Sequence, residues 1–384
     1  MKMNKNILYL GLVSFFTDFA SAMINPILPV FVVYYLKEGV DKLGVIVAVA
    51  TFVSYSLRLL SGYVSDRYGI VKPLVVAGYA LSAFSKPLIG FSKGYASVAF
   101  LRAVERLGKA LRSAPKDYLI AYFGDKKRMG KTFGFHKTLD IAGEFSGTLF
   151  LFLTLYLVGQ SEEIVRGIFF ATLFPSLVAL LIVSFFVEDV KKKEKREKFA
   201  VSKEDKRVIK NLFFYFFFLF FFFNEAFFTM QAKEVGIGIA FIPLLFMLST
   251  FVQTLTSYYS GMLIDKIGVE KTLLISYGFG VFAEALLLFK TPWATWLSYA
   301  FLGLFTVFSL NANRAYIAKD SKNVASVYGV FYAGVAVFGA LGAFVIGLLW
   351  DKAGMENAVA FSLAGILCVF FLFLLRGGFV FENS

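Results

Sequence analysis

Between Leu101 and Ala121 the chain carries Arg102, Glu105, Arg106, Lys109, Arg112, Lys116 and Asp117. At about 100° per residue these fall within an arc of roughly 140° on a helix, and Leu101, Ala103, Val104, Leu107, Ala110, Leu111 and Ala114 cover the rest. A row of guanidinium and ammonium groups either holds an anionic ligand or neutralises acids on a neighbouring element. His136, Asp140 and Glu144 are spaced i, i+4 and i+8, which puts them on one helical face. That trio either ligates a divalent metal or forms a paired network or proton relay with nearby bases. Asp18 and Glu225 are acids near the middle of long apolar stretches. A carboxyl in that setting can exchange a proton or bind a cation, or it serves as a structural acid paired with an arginine.

The elements that position these groups are membrane spans. With 58% hydrophobic residues, 18% aromatic residues and a mean hydropathy of +0.72, the chain exceeds what a soluble core needs. A bilayer core takes about 20 helical residues. Twelve segments qualify, near 7–36, 43–64, 74–92, 95–121, 134–158, 167–187, 208–232, 237–263, 272–290, 294–318, 324–350 and 357–375. An even number places both termini on one face, the cytoplasmic one, because most of the 39 basic residues then fall in loops on that side. The same asymmetry accounts for the net charge of +13 without a nucleic-acid partner. Lys2, Lys5 and Ala20-Ser21-Ala22 resemble a secretory signal, but the apolar pattern runs on to Leu36, so the segment is read as a span. The single cysteine, Cys368, excludes an internal disulfide and a thiolate cluster. No phosphate-cradling loop is present, so ATP does not drive the protein, and no cofactor or enzymatic activity is expected.

The two halves of the chain repeat one another. Gly62-x-x-x-Asp66-Arg67-x-Gly69-x-x-Lys72 recurs with identical spacing as Gly261-x-x-x-Asp265-Lys266-x-Gly268-x-x-Lys271. Phe15-Phe16-Thr17-Asp18 is answered by Phe222-Phe223-Asn224-Glu225, and Gly134 and Gly147 by Gly329 and Gly342. The basic run Lys191–Lys198 lies between the halves. The expected organisation is a bundle over 1–190, a cytoplasmic linker over 191–207 and a second bundle over 208–384.

In these features the chain resembles the major facilitator superfamily of secondary transporters, whose most specific signature is the loop at 62–72. The resemblance implies an all-α integral membrane protein of twelve helices in two six-helix repeats, working by alternating access. It further implies that the paired loops form a cytoplasmic gate, as opposed to serving only as positive-inside anchors. Two departures stand out: Ile70 and Val71 replace a frequent basic residue, and Glu105-Arg106 stand where many proton antiporters carry a small or amide residue.

The expected function is proton-coupled efflux of a small solute across the cell membrane by a monomer, with Asp18 and Glu225 facing each other across the repeat axis. An organic-anion or phosphate-ester carrier that uses the basic stripe is one alternative. A divalent-metal, iron-like exporter is another, and a non-transporting sensor a third. Lys86-Pro87 is expected to break the third span. Arg58, Lys86, Gln253, Asn311, Asn313 and Arg314 are further cavity candidates, and the phenylalanine run Phe213–Phe223 is expected to face lipid.

Overall fold

The computed structural model describes residues 4–124, 129–190 and 200–381, with side chains at all of these except 59, 66, 130 and 377–381. Among the described residues the chain forms helices and no strands. In chain order they are α1 (Lys5–Ala22), α2 (Val40–Tyr68), α3 (Lys72–Leu88), α4 (Tyr95–Phe123), α5 (Met129–Leu157) and α6 (Glu162–Phe185, interrupted at Thr172). The second set is α7 (Lys203–Glu234, interrupted over Phe222–Asn224), α8 (Ile242–Ile267), α9 (Val269–Leu287), α10 (Pro292–Asp320), α11 (Val324–Ala353) and α12 (Met355–Phe381). Polar caps start several of them. Asn4 accepts from the Asn6 amide at 2.9 Å, and Ser202 and Asp205 form a reciprocal capping box at the start of α7.

Among the described residues, nine helices are long and apolar enough to cross a membrane. The expected segments outside that set are α1, α4 and α9, which carry Asp18, the basic stripe and Glu284 respectively. Charge lowers their hydropathy and at the same time requires protein rather than lipid around them.

Residue contacts divide the chain into two units, Met1–Glu38 with Val49–Lys198 and Ile239–Pro243, and Gly39–Ala48 with Phe199–Gly238 and Leu244–Ser384. In the first unit α1 packs on α5 and α6, and α3 on α4. The second unit repeats this pattern, with α7 on α11 and α12, and α9 on α10. Leu10, Val13, Val75, Tyr79, Leu119 and Val183 form one apolar core of the first unit. Small residues set the closest approaches. A Cβ at Gly143 or Gly147 of α5 would collide with the backbone of Phe15 or Phe19 on α1, and one at Gly342 of α11 would meet the backbone of Phe220 on α7.

Two expectations are corrected here. The phenylalanine run does not simply face lipid: Phe216, Phe218, Phe222 and Phe223 are buried, and Phe218 stacks on Tyr277 at 4.7 Å, while Phe213 and Phe217 point outward. Aromatic side chains at every position must cover both faces of a helix, so composition alone does not choose one. Pro87 does not break α3 at Lys86, since the helix runs to Leu88 and closes in a 3₁₀ turn over Ile89–Phe91.

Candidate functional site

The basic stripe of α4 lies inside the first unit, and most of it is held. Glu105, 1% exposed, accepts from Arg102 at 2.9 Å and lies 3.4 Å from the Arg106 Nε. Arg102 also donates to the Asn25 side chain at 3.2 Å, beside the turn that ends α1. Arg112 bolts α4 to α3, donating to the Gly78 carbonyl at 3.2 Å and to Ser82 Oγ at 2.5 Å, with its guanidinium 4.6 Å from the Tyr79 ring centre. Gly78 and Gly108 permit this approach, because a Cβ on either would strike the other's carbonyl oxygen.

Lys116 begins a chain of polar contacts through three helices. It donates to Ser14 Oγ of α1 at 3.1 Å, Ser14 Oγ lies 2.9 Å from His136 Nε2, and His136 Nδ1 is 3.5 Å from Asp140. Lys137 stands 4.0 Å from the same carboxylate. Glu144 is exposed on α5, and Asp117 is exposed on α4. No three His, Cys, Asp or Glu side chains among the described residues come together to hold a metal ion.

Asp18 is half-buried on α1, and its charge acts on Lys86, Lys109, Lys116 and His136. Lys109 differs from the rest of the stripe. It is exposed, and its ammonium makes no hydrogen bond or ion pair with any described residue, while Asp18, Glu105, Arg106 and Arg112 all lie within electrostatic range. The residue keeps exposed surface while its ammonium sits among charged neighbours.

In the second unit Asn224 caps the distal part of α7, with Glu225 in its first turn. Glu225 is half-buried, and its charge acts on Tyr299, whose hydroxyl lies 3.2 Å from Thr229 Oγ1. The packing corrects the expected pairing of Asp18 with Glu225. Gly147 rests on Phe19 and Gly342 on Phe220, and in that register Asp18 corresponds to Leu219. Glu225 sits six residues further on, beyond the interruption of α7. The shared Phe-Phe-x-acid pattern is therefore a coincidence of local sequence, and the two acids occupy different levels of their bundles.

The loop glycines divide by role. Gly69 and Gly268 adopt φ of +65° and +87°, the left-handed conformation that ends one helix and starts the next. Gly62 meets Ala114 at ordinary contact distance and Gly261 faces open space, so neither enforces the close approach expected of them. Arg67 donates to the Tyr63 hydroxyl at 2.7 Å, and Lys72 donates to the Ser184 carbonyl at 2.8 Å. Asp265, Lys266 and Lys271 are exposed. The Asp66 side chain and the basic run Lys191–Lys198 lie outside the described residues.

The profile of the Major Facilitator Superfamily matches residues 10–232 and again 212–380, once for each half of the chain. The chain belongs to this superfamily. Along its length it is similar to an MFS-type transporter of Methanocaldococcus jannaschii, at 28% identity over 96% of this chain and 95% of the relative. Its fold matches the crystal structure of nucleoside transporter NupG with a TM-score of 0.77 at 13% identity, covering 96% of this chain and 98% of the other. It likewise matches a POT family transporter in complex with 5-aminolevulinic acid, with a TM-score of 0.78 at 12% identity over 97% and 96% of the two chains. As a Major Facilitator Superfamily member the chain is a multi-pass membrane protein and a secondary transporter.

Two buried ionisable residues complete the picture in this superfamily member: Lys86, which the sequence offers as a cavity candidate, and Glu284, which escaped the sequence reading. Lys86, 0% exposed, donates to the Thr17 carbonyl at 3.3 Å and lies within electrostatic range of Glu105, Asp18, Arg102 and Arg112. Glu284, also 0% exposed, is held by the Phe223 amide and by Ser362. The available signal was the same for both, a single charge in the middle of an apolar span. Counting from the repeated Lys72 and Lys271, the two fall within one residue of equivalence, so each bundle buries a charge of opposite sign against its first helix.

Proposed function

We propose that this transporter exports a small organic anion in exchange for protons, as a monomer in the cell membrane with both termini cytoplasmic. The carrying observation is the charge balance within the first unit. Lys86, Arg102, Arg106, Lys109, Arg112 and Lys116 outnumber Asp18, Glu105, Asp140 and Glu144. Arg112 is committed to α3, and Arg102 and Arg106 share Glu105, which leaves Lys109, without a hydrogen-bond partner among the described residues, as the first contact for an anionic group. Asp18 stands among four basic groups, so its protonation changes the net charge that an anion meets, and that change couples the two fluxes. The Lys116, Ser14, His136 and Asp140 sequence supplies hydroxyl, imidazole and carboxylate groups along which a proton can pass. The loops at 62–72 and 261–271 act as the cytoplasmic gate of alternating access, turning on Gly69 and Gly268.

The test is flux in proteoliposomes containing the purified protein, with a panel of monocarboxylates, dicarboxylates and phosphate esters and an imposed pH gradient. An anion should move down the proton gradient's drive, and Asp18→Asn should leave counterflow intact while abolishing the response to the gradient. Flux that ignores the gradient overturns the coupling, and selectivity for organic cations or divalent metals overturns the substrate class.

A further inference from the structure

Glu284 lies at a point where the backbone of α7 needs a partner. The helix stops after Phe221 and resumes at Glu225, so the Phe223 amide has no helical acceptor. Glu284 Oε1 takes that amide at 2.6 Å, and its Oε2 lies 2.5 Å from Ser362 Oγ of α12. The same Ser362 hydroxyl is hydrogen-bonded to the Phe221 carbonyl oxygen, on the other side of the interruption. A serine hydroxyl has one proton to give, and a carbonyl can only accept. With the Ser362 proton committed to Phe221, the short contact to Glu284 is a hydrogen bond only when the carboxyl itself carries a proton and donates it.

Among the described residues no countercharge stands beside Glu284. The groups acting on Glu284 are the Ser362 hydroxyl and the Phe223 amide. From α7 the nearest titratable side chain is Glu225, whose charge acts on Tyr299, and from α10 it is Tyr299 itself. From α12 they are Glu356 and Cys368, each six residues from Ser362, the former paired with Lys290, and on α9 it is Tyr277, two turns away and stacked on Phe218. None of these is a cation in contact with the carboxyl, and an isolated buried carboxylate is strongly unfavourable.

We propose that Glu284 is a proton-binding site of the second unit, whose carboxylic acid clasps the two sides of the α7 interruption through Phe223 and Ser362. When the proton leaves, Ser362 has two acceptors and one hydrogen, so either the carboxylate or the Phe221 carbonyl loses its bond and the segment 221–225 loosens. The site is separate from Asp18 and stands whether or not protons drive the flux.

Infrared spectroscopy of the detergent-solubilised protein tests this without any substrate. At neutral pH the wild type should show a carboxylic-acid carbonyl band that Glu284→Gln removes, the amide keeping both an acceptor for Phe223 and a donor for Ser362. Ser362→Ala should keep the band and shift it upward, because the acid loses its acceptor, and this variant carries the assignment if the first fails to fold. Amide hydrogen exchange across 221–225, corrected for intrinsic rates, should rise about tenfold on alkalinisation, the equivalent of one lost hydrogen bond, in the wild type and not in Glu284→Gln. A band that survives Glu284→Gln, or one that does not move in Ser362→Ala, overturns the proton site. An equal rise in exchange in both proteins overturns the clasp.

Discussion

Replacing Gly143 by alanine places one methyl group where α5 meets α1. That Cβ would stand 2.8 Å from the Phe15 Cα and 2.9 Å from its carbonyl carbon, and closer still to the oxygen. Carbon atoms pack best at about 3.5–4.0 Å, so the helices must part by roughly 1 Å or the methyl must be accommodated by strain. Overpacking of this kind costs about 1–3 kcal/mol. The same substitution removes the backbone entropy of glycine and so contributes about 1 kcal/mol in the other direction. Gly134 lies on the same helix and has nothing within 4 Å of its Cβ position, so Gly134→Ala carries only the second effect. The two variants should therefore differ by about 1–3 kcal/mol, with Gly134→Ala at or above the wild-type midpoint and Gly143→Ala below it. Thermal unfolding in one detergent, followed by helical circular dichroism and tryptophan emission, reads the difference directly. Equal midpoints for the two variants would refute the claim that contact at Gly143 sets the α1 to α5 spacing. Gly342→Ala should mirror Gly147→Ala, since the repeat sets Phe220 against Gly342 as it sets Phe19 against Gly147.

Glu105→Gln strips the countercharge from Arg102 and Arg106 and should lower stability by about 3–5 kcal/mol, whereas Arg102→Gln combined with Glu105→Gln should cost less than the sum of the singles; additivity in that double-mutant cycle would show that the 2.9 Å pair carries no energy. Gly268→Ala forces a side chain into φ of +87° and ψ of 167° and should cost about 1–3 kcal/mol, while Gly261→Ala should be neutral; thermal midpoints that rank otherwise would separate the loop's conformation from its sequence pattern. Lys109→Gln should leave the midpoint within about 0.5 kcal/mol of wild type and weaken apparent affinity for a transported anion about tenfold or more, the worth of one charge-assisted hydrogen bond. An unchanged half-saturation concentration would remove Lys109 from the binding site.

The sequence made the architecture legible because membrane burial and duplication leave long-range marks. Apolar length locates nine spans among the described residues, and the twin loops at Gly62–Lys72 and Gly261–Lys271 align the halves without any three-dimensional information. The stripe was legible for the same reason, since a period of 3.6 residues assigns Arg102, Glu105, Arg106 and Lys109 to one face. What periodicity cannot supply is the partner. Glu105 faces its own helix neighbours, and Arg112 is committed to a backbone carbonyl of α3, a kind of acceptor that every residue has and no side-chain pattern reveals. The Phe-Phe-x-acid match misled for a related reason. In a run such as Phe213–Phe223 many registers look alike, and only the glycine contacts at 147 and 342 fix which is real.

That correction changes the logic of the transporter. If Asp18 and Glu225 were equivalent, both halves would titrate at one level and a single acid pair would describe coupling. In the packing register, the first unit instead buries Lys86 against the carbonyl of Thr17, just before the end of α1, and the second buries Glu284 against the amide of Phe223, within the interruption of α7. A cation takes the carbonyl and an acid takes the amide, as the polarity of each backbone group requires. Each third helix buries an ionisable side chain against the backbone of the first with opposite polarity, but Lys86 meets the continuous helix α1 while Glu284 meets an interruption of α7. The two bundles therefore need not respond to protons alike: in the proposed transport cycle the cation-rich first unit would meet the charge of the cargo, and the acid in the second would meet the proton at the α7 interruption.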